Sequence, residues 1–262
     1  MSKRHAVILG TILFISNGVY AMNERAGDGY ALTLGVGSSF EPRYMGSRTY
    51  QFAPAYLFDA KGPWGLFANS SRGIGYELAL PSNFYATAAL SYDEGRKDRN
   101  SKLGHGADSL KGMGDLKGAV LANLSTGYRF GQWGSVNISV DLPLTRREHG
   151  AAYHLMTDAV VLNTPYDKIT VDAAVHIGSG KYNQSFFGVT SMQSAHSGFP
   201  EYMTGGGVYA ASTGAEWTHK VSPHWSTTVD GQVMRYTGAA LRSPIVTSRS
   251  NYLLQGTVNY TF

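Results

Sequence analysis

The feature that most constrains this chain is an alternation of apolar and polar residues with period two. It recurs along the chain after the first segment, and beyond residue 21 no apolar run is long enough for a membrane helix. In 251–262 one face carries Tyr252, Leu254, Gly256, Val258, Tyr260 and Phe262. The other carries Asn251, Gln255, Thr257, Asn259 and Thr261, with Leu253 out of phase. In 135–144, Val136, Ile138, Val140, Leu142 and Leu144 oppose Asn137, Ser139 and Asp141. In 168–177, Ile169, Val171, Ala173, Val175 and Ile177 oppose Lys168, Thr170, Asp172 and His176. In 225–235, Trp225, Thr227, Val229 and Val233 oppose Ser226, Thr228, Asp230 and Gln232. Successive side chains of a strand point to opposite faces, so each segment is a strand with one apolar and one polar side.

The punctuation comes in two lengths. Short turns carrying Gly, Pro or other turn residues fall at 60–63, 81–82, 131–134, 163–167 and 220–224. Long polar connections fall at 41–48, 93–114, 179–205 and 236–248, and two connections on their side, near 70–72 and 147–150, are short. The pattern predicts about twelve strands, at 29–40, 49–59, 64–69, 73–80, 83–92, 115–130, 135–146, 151–162, 168–178, 206–219, 225–235 and 249–262. An even number of alternating strands, with short turns at one end and long loops at the other, is the pattern of a transmembrane antiparallel up-and-down β-barrel. Hydrocarbon offers no partner to backbone N–H and C=O groups, so such a sheet must close. Its apolar face meets lipid and its polar face the lumen. A soluble β-sandwich also alternates, but has no need of two loop lengths. Tyr30, Tyr56, Tyr92, Tyr128, Phe130, Tyr153, Trp217, Trp225, Tyr252 and Tyr260 fall near strand ends, as interfacial girdles require.

Residues 1–21 read as a secretory signal peptide. Lys3, Arg4 and His5 precede an apolar stretch of about ten residues, and Val19-Tyr20-Ala21 offers small residues at the −3 and −1 positions. The expected mature chain is one barrel domain, 22–262. With Lys3 and Arg4 removed, 22 basic and 18 acidic residues become 20 and 18, so net charge falls from +4 to +2. That small excess gives no reason to expect a nucleic-acid partner. Charged residues are only 15 %, against about 25 % in soluble domains. There is no cysteine, which excludes disulfides, thiolate metal sites and cysteine nucleophiles. The closing Phe262, on one face with Tyr260 and Val258, resembles the terminal signal read by the outer-membrane barrel assembly machinery.

Three constellations carry chemistry. Loop 93–115 balances Arg96, Lys97, Arg99, Lys102 and Lys111 against Asp93, Glu94, Asp98, Asp108 and Asp115. It reads as a solvated loop, or as a contact for lipopolysaccharide. Loop 179–205 holds Tyr182, Phe186, Phe187, Met192, His196, Phe199, Tyr202 and Met203. That is too apolar to lie open to water, so it predicts a lumen plug or a docking surface. Third, a symmetric hairpin about 163–167 pairs residues whose numbers sum to 330. Asp158 then faces Asp172 and His154 faces His176 on the lumen wall, a proton or cation stop or simply a polar filling. No H-x-H or carboxylate-rich loop suggests a metal, no cofactor pattern appears, and no G-x-S-x-G elbow is present. His196 and Ser197 are adjacent, which is the wrong geometry for a base and its nucleophile. The chain is not expected to be an enzyme.

Several stretches resemble, in order and spacing, the MipA/OmpV family of Gram-negative outer-membrane barrels. They are Pro42-Arg43-Tyr44-Met45-Gly46-Ser47 with Tyr50; Gly73-Ile74-Gly75-Tyr76 with Arg96; and Leu110-Lys111-Gly112-Met113-Gly114-Asp115. They continue with Tyr182, Phe186-Phe187-Gly188-Val189-Thr190 and Gln193-Ser194-Ala195, then Arg235-Tyr236, Ser243-Pro244-Ile245 and Tyr260-Thr261-Phe262. The resemblance implies a scaffold linked to murein synthesis that binds a lytic transglycosylase and a murein synthase. Other members are described as porin-like channels or adhesins. The resemblance supplies no catalytic residue. It stands in tension with turns of about two to five residues, the hairpin range, which offer a periplasmic partner little surface.

Overall fold

The computed structural model describes residues 30–101 and 104–262. The expected signal peptide lies outside the described residues. The strands are β1 (Ala31–Pro42), β2 (Tyr50–Lys61), β3 (Leu66–Asn69), β4 (Gly73–Ala79), β5 (Phe84–Arg96), β6 (Leu116–Arg129), β7 (Gly134–Pro143), β8 (Ala152–Asn163), β9 (Asp167–Gly178), β10 (Gly207–Lys220), β11 (Trp225–Tyr236) and β12 (Ser250–Thr261). Each pairs antiparallel with its sequence neighbour, and β1 pairs with β12, so the sheet closes with twelve strands. Among the described residues no helix is long and apolar enough to cross a membrane; crossing is by strands.

The period-two pattern sets the faces. Ile138, Leu155, Val175, Val229, Tyr252, Leu254 and Val258 stand exposed on the outside, while Asn137, Ser139, His154, Thr170, His176, Asp230, Asn251 and Asn259 are buried within. A soluble sheet would show the reverse, and lipid is the solvent that makes this polarity favourable. The β1–β12 seam is held close by small residues. A Cβ on Gly37 would lie 1.8 Å from the Gly256 carbonyl oxygen. The mean strand direction makes the five short turns one end of the barrel and the long loops the other.

The strand count stands, and most strand ends fall within two residues of expectation. Strand β5 is the main departure, running to Arg96 rather than 92. Its inward positions accept charge, so the charged residues that look like the start of a loop are still wall. The β3–β4 hairpin is much shorter than its neighbours, and β3 meets β2 only from Asp59↔Asn69 to Lys61↔Phe67.

Candidate functional site

The long loops do not stand away from the barrel. Loops 43–49, 97–115, 179–206 and 237–249 fold together across its mouth. Loop 179–206 builds two helices, α1 (Gly180–Phe187) and α2 (Ser191–Ser197), and loop 237–249 a third, α3 (Gly238–Leu241). Ser179 caps α1 by accepting from the Tyr182 N–H. Thr190 and Gln193 form a reciprocal capping box on α2, which satisfies two otherwise orphaned donors. Phe186 and Phe187 of α1 pack with Tyr209, Met234, Tyr236, Ala240 and Leu253. This explains why Leu253 breaks the alternation of β12: it faces inward beneath the cap. A second cluster joins all four loops through Tyr44, Ala107, Leu110, Met113, Val189 and Ile245, with Phe199 and Tyr202 against it.

Hydrogen bonds fix the cap. The Tyr44 hydroxyl donates to the Ile245 carbonyl at 3.0 Å, Ser243 to that of Phe187 at 2.6 Å, and Gln193 to that of Met113 at 2.9 Å. Asn251, wholly buried, accepts from the Gly46 N–H at 2.7 Å and the Tyr236 hydroxyl at 2.8 Å, and donates to the Ser47 carbonyl at 2.7 Å. Arg96 is buried and donates to the Phe186 carbonyl at 3.1 Å. The charges of loop 93–115 are therefore not all solvated: Arg96 is spent inside, anchoring the aromatic loop. His105 is also buried, with Nε2 3.3 Å from Glu41 and Nδ1 3.4 Å from Glu94. Burial pushes the His105 imidazole down, but the two carboxylates outweigh it and hold the ring above the ordinary histidine range.

Beneath the cap lies a cavity of about 80 Å³, lined among others by Asp93, Asp141, His149, His154, Tyr182 and Tyr209. It has room for several waters at roughly 10–15 Å³ each. A polar chain crosses its floor. His154 Nε2 lies 3.1 Å from Asp141, His154 Nδ1 2.9 Å from His176 Nδ1, and His176 Nε2 2.8 Å from the Ser212 hydroxyl. A carboxylate only accepts, which sets the direction of a neutral chain: Ser212 donates to His176, His176 to His154, and His154 to Asp141. The ring of His176 stacks on Tyr209, and Tyr209 on Tyr182, tying the chain to the cap.

The expected facing pairs are present: Asp158 opposes Asp172 and His154 opposes His176 in the β8–β9 register. They form two sites rather than one. The histidines belong to the capped cavity. Asp158 takes the N–H and hydroxyl of Ser135, while Asp172 faces β10, where a Cβ on Gly214 would lie 2.6 Å from its Oδ1. The acids continue across the wall to Glu216, which opposes Asp230. Tyr182, Phe186, Phe187, Phe199 and Tyr202 all join the cap. Asp141, Ser212, Glu216, Asp230 and the Glu41–His105–Glu94 trio were not singled out from sequence. Glu216 and Asp230 were accessible by the same arithmetic, since β10 and β11 pair residues whose numbers sum to 446.

A closed antiparallel barrel with a lipid-facing apolar exterior, a polar lumen and short turns at one end is an integral membrane β-barrel of the Gram-negative outer-membrane kind. The family model described as "MltA-interacting protein MipA" matches residues 34–262, and the chain belongs to that family. No curated protein sequence matches it. Among solved structures it is similar to an outer membrane channel from Pseudomonas putida F1, at 10 % identity and TM-score 0.44 over 91 % of this chain and 97 % of that one. It is also similar to an anion-selective porin from Comamonas acidovorans, at 9 % identity and TM-score 0.37 over 89 % and 99 %. The P. putida toluene transporter TodX aligns at 10 % identity and TM-score 0.37 over 94 % and 93 %.

Proposed function

We propose that this protein is an outer-membrane scaffold that holds murein-remodelling enzymes, a lytic transglycosylase and a murein synthase, at its periplasmic rim. The partner class is what the family resemblance implies; the description of the matching model says only that the family is MltA-interacting. The observation that carries the reading is the cap. Four loops seal the mouth around two buried clusters, and these loops hold most of the residues that resemble the family pattern. The pattern is thus spent on closing and rigidifying the barrel rather than on lining an open pore. The turn end is short but not featureless. It displays Trp64, Trp133 and Tyr166, each more than 60 % exposed. Trp64 is held at φ 60, a strained conformation for a bulky residue that sites specifying function tend to retain.

The test uses the purified barrel in detergent with a purified lytic transglycosylase and murein synthase. Capture of either enzyme, lost on combining Trp64→Ala with Trp133→Ala, is the expected result, with no conductance in planar bilayers. Steady conductance steps that change on Asp158→Asn, together with no capture, would replace this reading with a narrow porin-like channel.

A further inference from the structure

The wall of the barrel is not continuous on all sides. Strand β2 has a strand partner on its β3 side only at residues 59–61, and β5 on its β4 side only up to Leu90. Above the β3–β4 hairpin, residues 50–57 of β2 and 91–96 of β5 therefore face each other without a strand between them. The opening is framed below by the hairpin, where Ser70 bonds Phe58. Above, the Lys97 N–H bonds the His105 carbonyl and the Gly106 N–H bonds the Arg43 carbonyl. Along β2 the frame is about 26 Å tall at roughly 3.3 Å per residue.

The sequence is adapted to this edge. Phe58 turns its N–H and carbonyl toward Ser70, so alternate residues Tyr56, Pro54 and Phe52 turn theirs into the opening. Proline lies in the middle of that row, where it has no N–H to leave unpaired, and a sheet edge is a place where proline is tolerated. The outer rim is apolar, with Phe52, Tyr56, Ile74, Leu90 and Tyr92 exposed. A bare edge in hydrocarbon is costly because its polar groups have no partner.

The opening leads somewhere. A cavity of about 40 Å³ is bounded by Tyr56, Ser70 and Ser71 at the edge of the opening and by Glu216, Asp230 and Gln255 on the far wall. Tyr56 lies at the edge of the opening and also lines this cavity, which places the cavity directly behind the opening. Asp230 is only 7 % exposed. The charged groups around it are Glu216 and Asp172, both acidic. Lys168 is near Glu216. Asp172 Oδ2 and Gln232 Oε1 are likewise buried without a hydrogen-bond partner. Three carboxylates, Asp230, Glu216 and Asp172, thus lie together with one lysine beside Glu216, which leaves place for a further cation from outside.

We propose that the opening between β2 and β5 is a lateral portal through which a membrane-borne amphipathic cation places its positive head against Asp230 and Glu216, its chain lying on the apolar rim. The two halves of the ligand match the two halves of the site. The head is an organic ammonium, because the cavity offers the carboxylates of Glu216 and Asp230 with the polar side chains of Thr228 and Gln255. The body is an alkyl or similarly apolar group, because exposed Phe52, Tyr56 and Leu90 flank the outside of the opening. This site is separate from the periplasmic rim and stands or falls independently of the scaffold reading.

The test measures equilibrium binding of labelled dodecyltrimethylammonium to the full-length barrel in phosphatidylcholine nanodiscs, with empty nanodiscs subtracted. Saturable binding is expected, weakened at least about tenfold by Asp230→Asn, the ratio that about 1.4 kcal/mol sets. Glu216→Gln examines the same head site should Asp230→Asn fail to give a folded, heat-modifiable band. Ser71→Trp, which narrows the opening away from the acids, should slow uptake of the alkyl cation. Soluble tetramethylammonium should compete poorly. Binding that is unchanged by both acid substitutions overturns the proposal. So does equal competition by tetramethylammonium, which would make the acids a site reached through water rather than through the wall.

Discussion

His105 offers a direct test of how the cap is held shut. Its ring lies 3.3 Å from Glu41 and 3.4 Å from Glu94, with all three side chains at most 15 % exposed. Ser39 and Gln51 also donate to Glu41, which fixes that carboxylate in place. At an effective dielectric of 20 each contact contributes about 5 kcal/mol of attraction. Burying the charges costs several kcal/mol each. The balance favours the protonated ring, because its pKa is raised. The perturbation is His105→Ala, which leaves two buried carboxylates facing each other without a cation. Breaking such a buried arrangement costs about 3–5 kcal/mol, and here the loss falls on cap closure, since His105 belongs to loop 97–115 while Glu41 belongs to the wall. The sign with pH follows from the raised value. Stabilisation is fully present below the ordinary histidine pKa of about 6.5 and is lost as pH rises through the higher folded value. The assay is hydrogen exchange of peptides from 97–115 in nanodiscs between pH 6 and 9, corrected for intrinsic exchange rates. Wild-type protection should fall with rising pH. The variant should be less protected at pH 6 and lack that slope. A flat wild-type profile, or an equal slope in the variant, would refute the reasoning.

The parts of this molecule legible in its sequence are those set by period and sign. Lipid outside and polar groups inside impose strict alternation, so the faces of β7, β9, β11 and β12 and the facing of Asp158 by Asp172 follow from residue order alone. The register arithmetic works because an antiparallel hairpin keeps the sum of paired numbers constant. It slips by one near the β8–β9 turn, where a bulge lies between Val160 and Leu162. What could not be read was the closing of loops upon one another. Tyr44, Leu110, Val189 and Ile245 come from four connections, and no local period relates them. The charges at 93–96 look like the start of a polar connection, but a polar lumen lets a strand carry them, and β5 runs to Arg96. Pro54 is a signal of the gap in the sequence itself. Proline inside a strand pattern marks an edge, and an edge inside a barrel marks a gap in its wall.

The remaining expectations concern the cap, the seam and the rim. Phe187→Ala removes a fully buried ring of the cap and should cost about 3–5 kcal/mol; protease should then cut within 188–204 while the barrel still runs as the folded form on unboiled gels. Gly37→Ala places a methyl against the Gly256 carbonyl, an overpacking of about 1–3 kcal/mol or more, and should lower the yield of the heat-modifiable species during refolding. The rim prediction bears on the tension between a protein partner and short turns. A turn of two to five residues cannot build a pocket, but several such turns on a rigid ring can present separate aromatic anchors at fixed spacing. Aromatic anchors carry a disproportionate share of interface energy. Trp64 lies in the β2–β3 turn and Trp133 in the β6–β7 turn, so a partner held by both must span part of the ring. Each single Trp→Ala substitution should therefore weaken capture of the transglycosylase or synthase by about 2 kcal/mol or more if it is such an anchor, and the pair should abolish it. Capture unaffected by both would show that these side chains serve only as interfacial anchors in the membrane, the role that tryptophan commonly has at that depth.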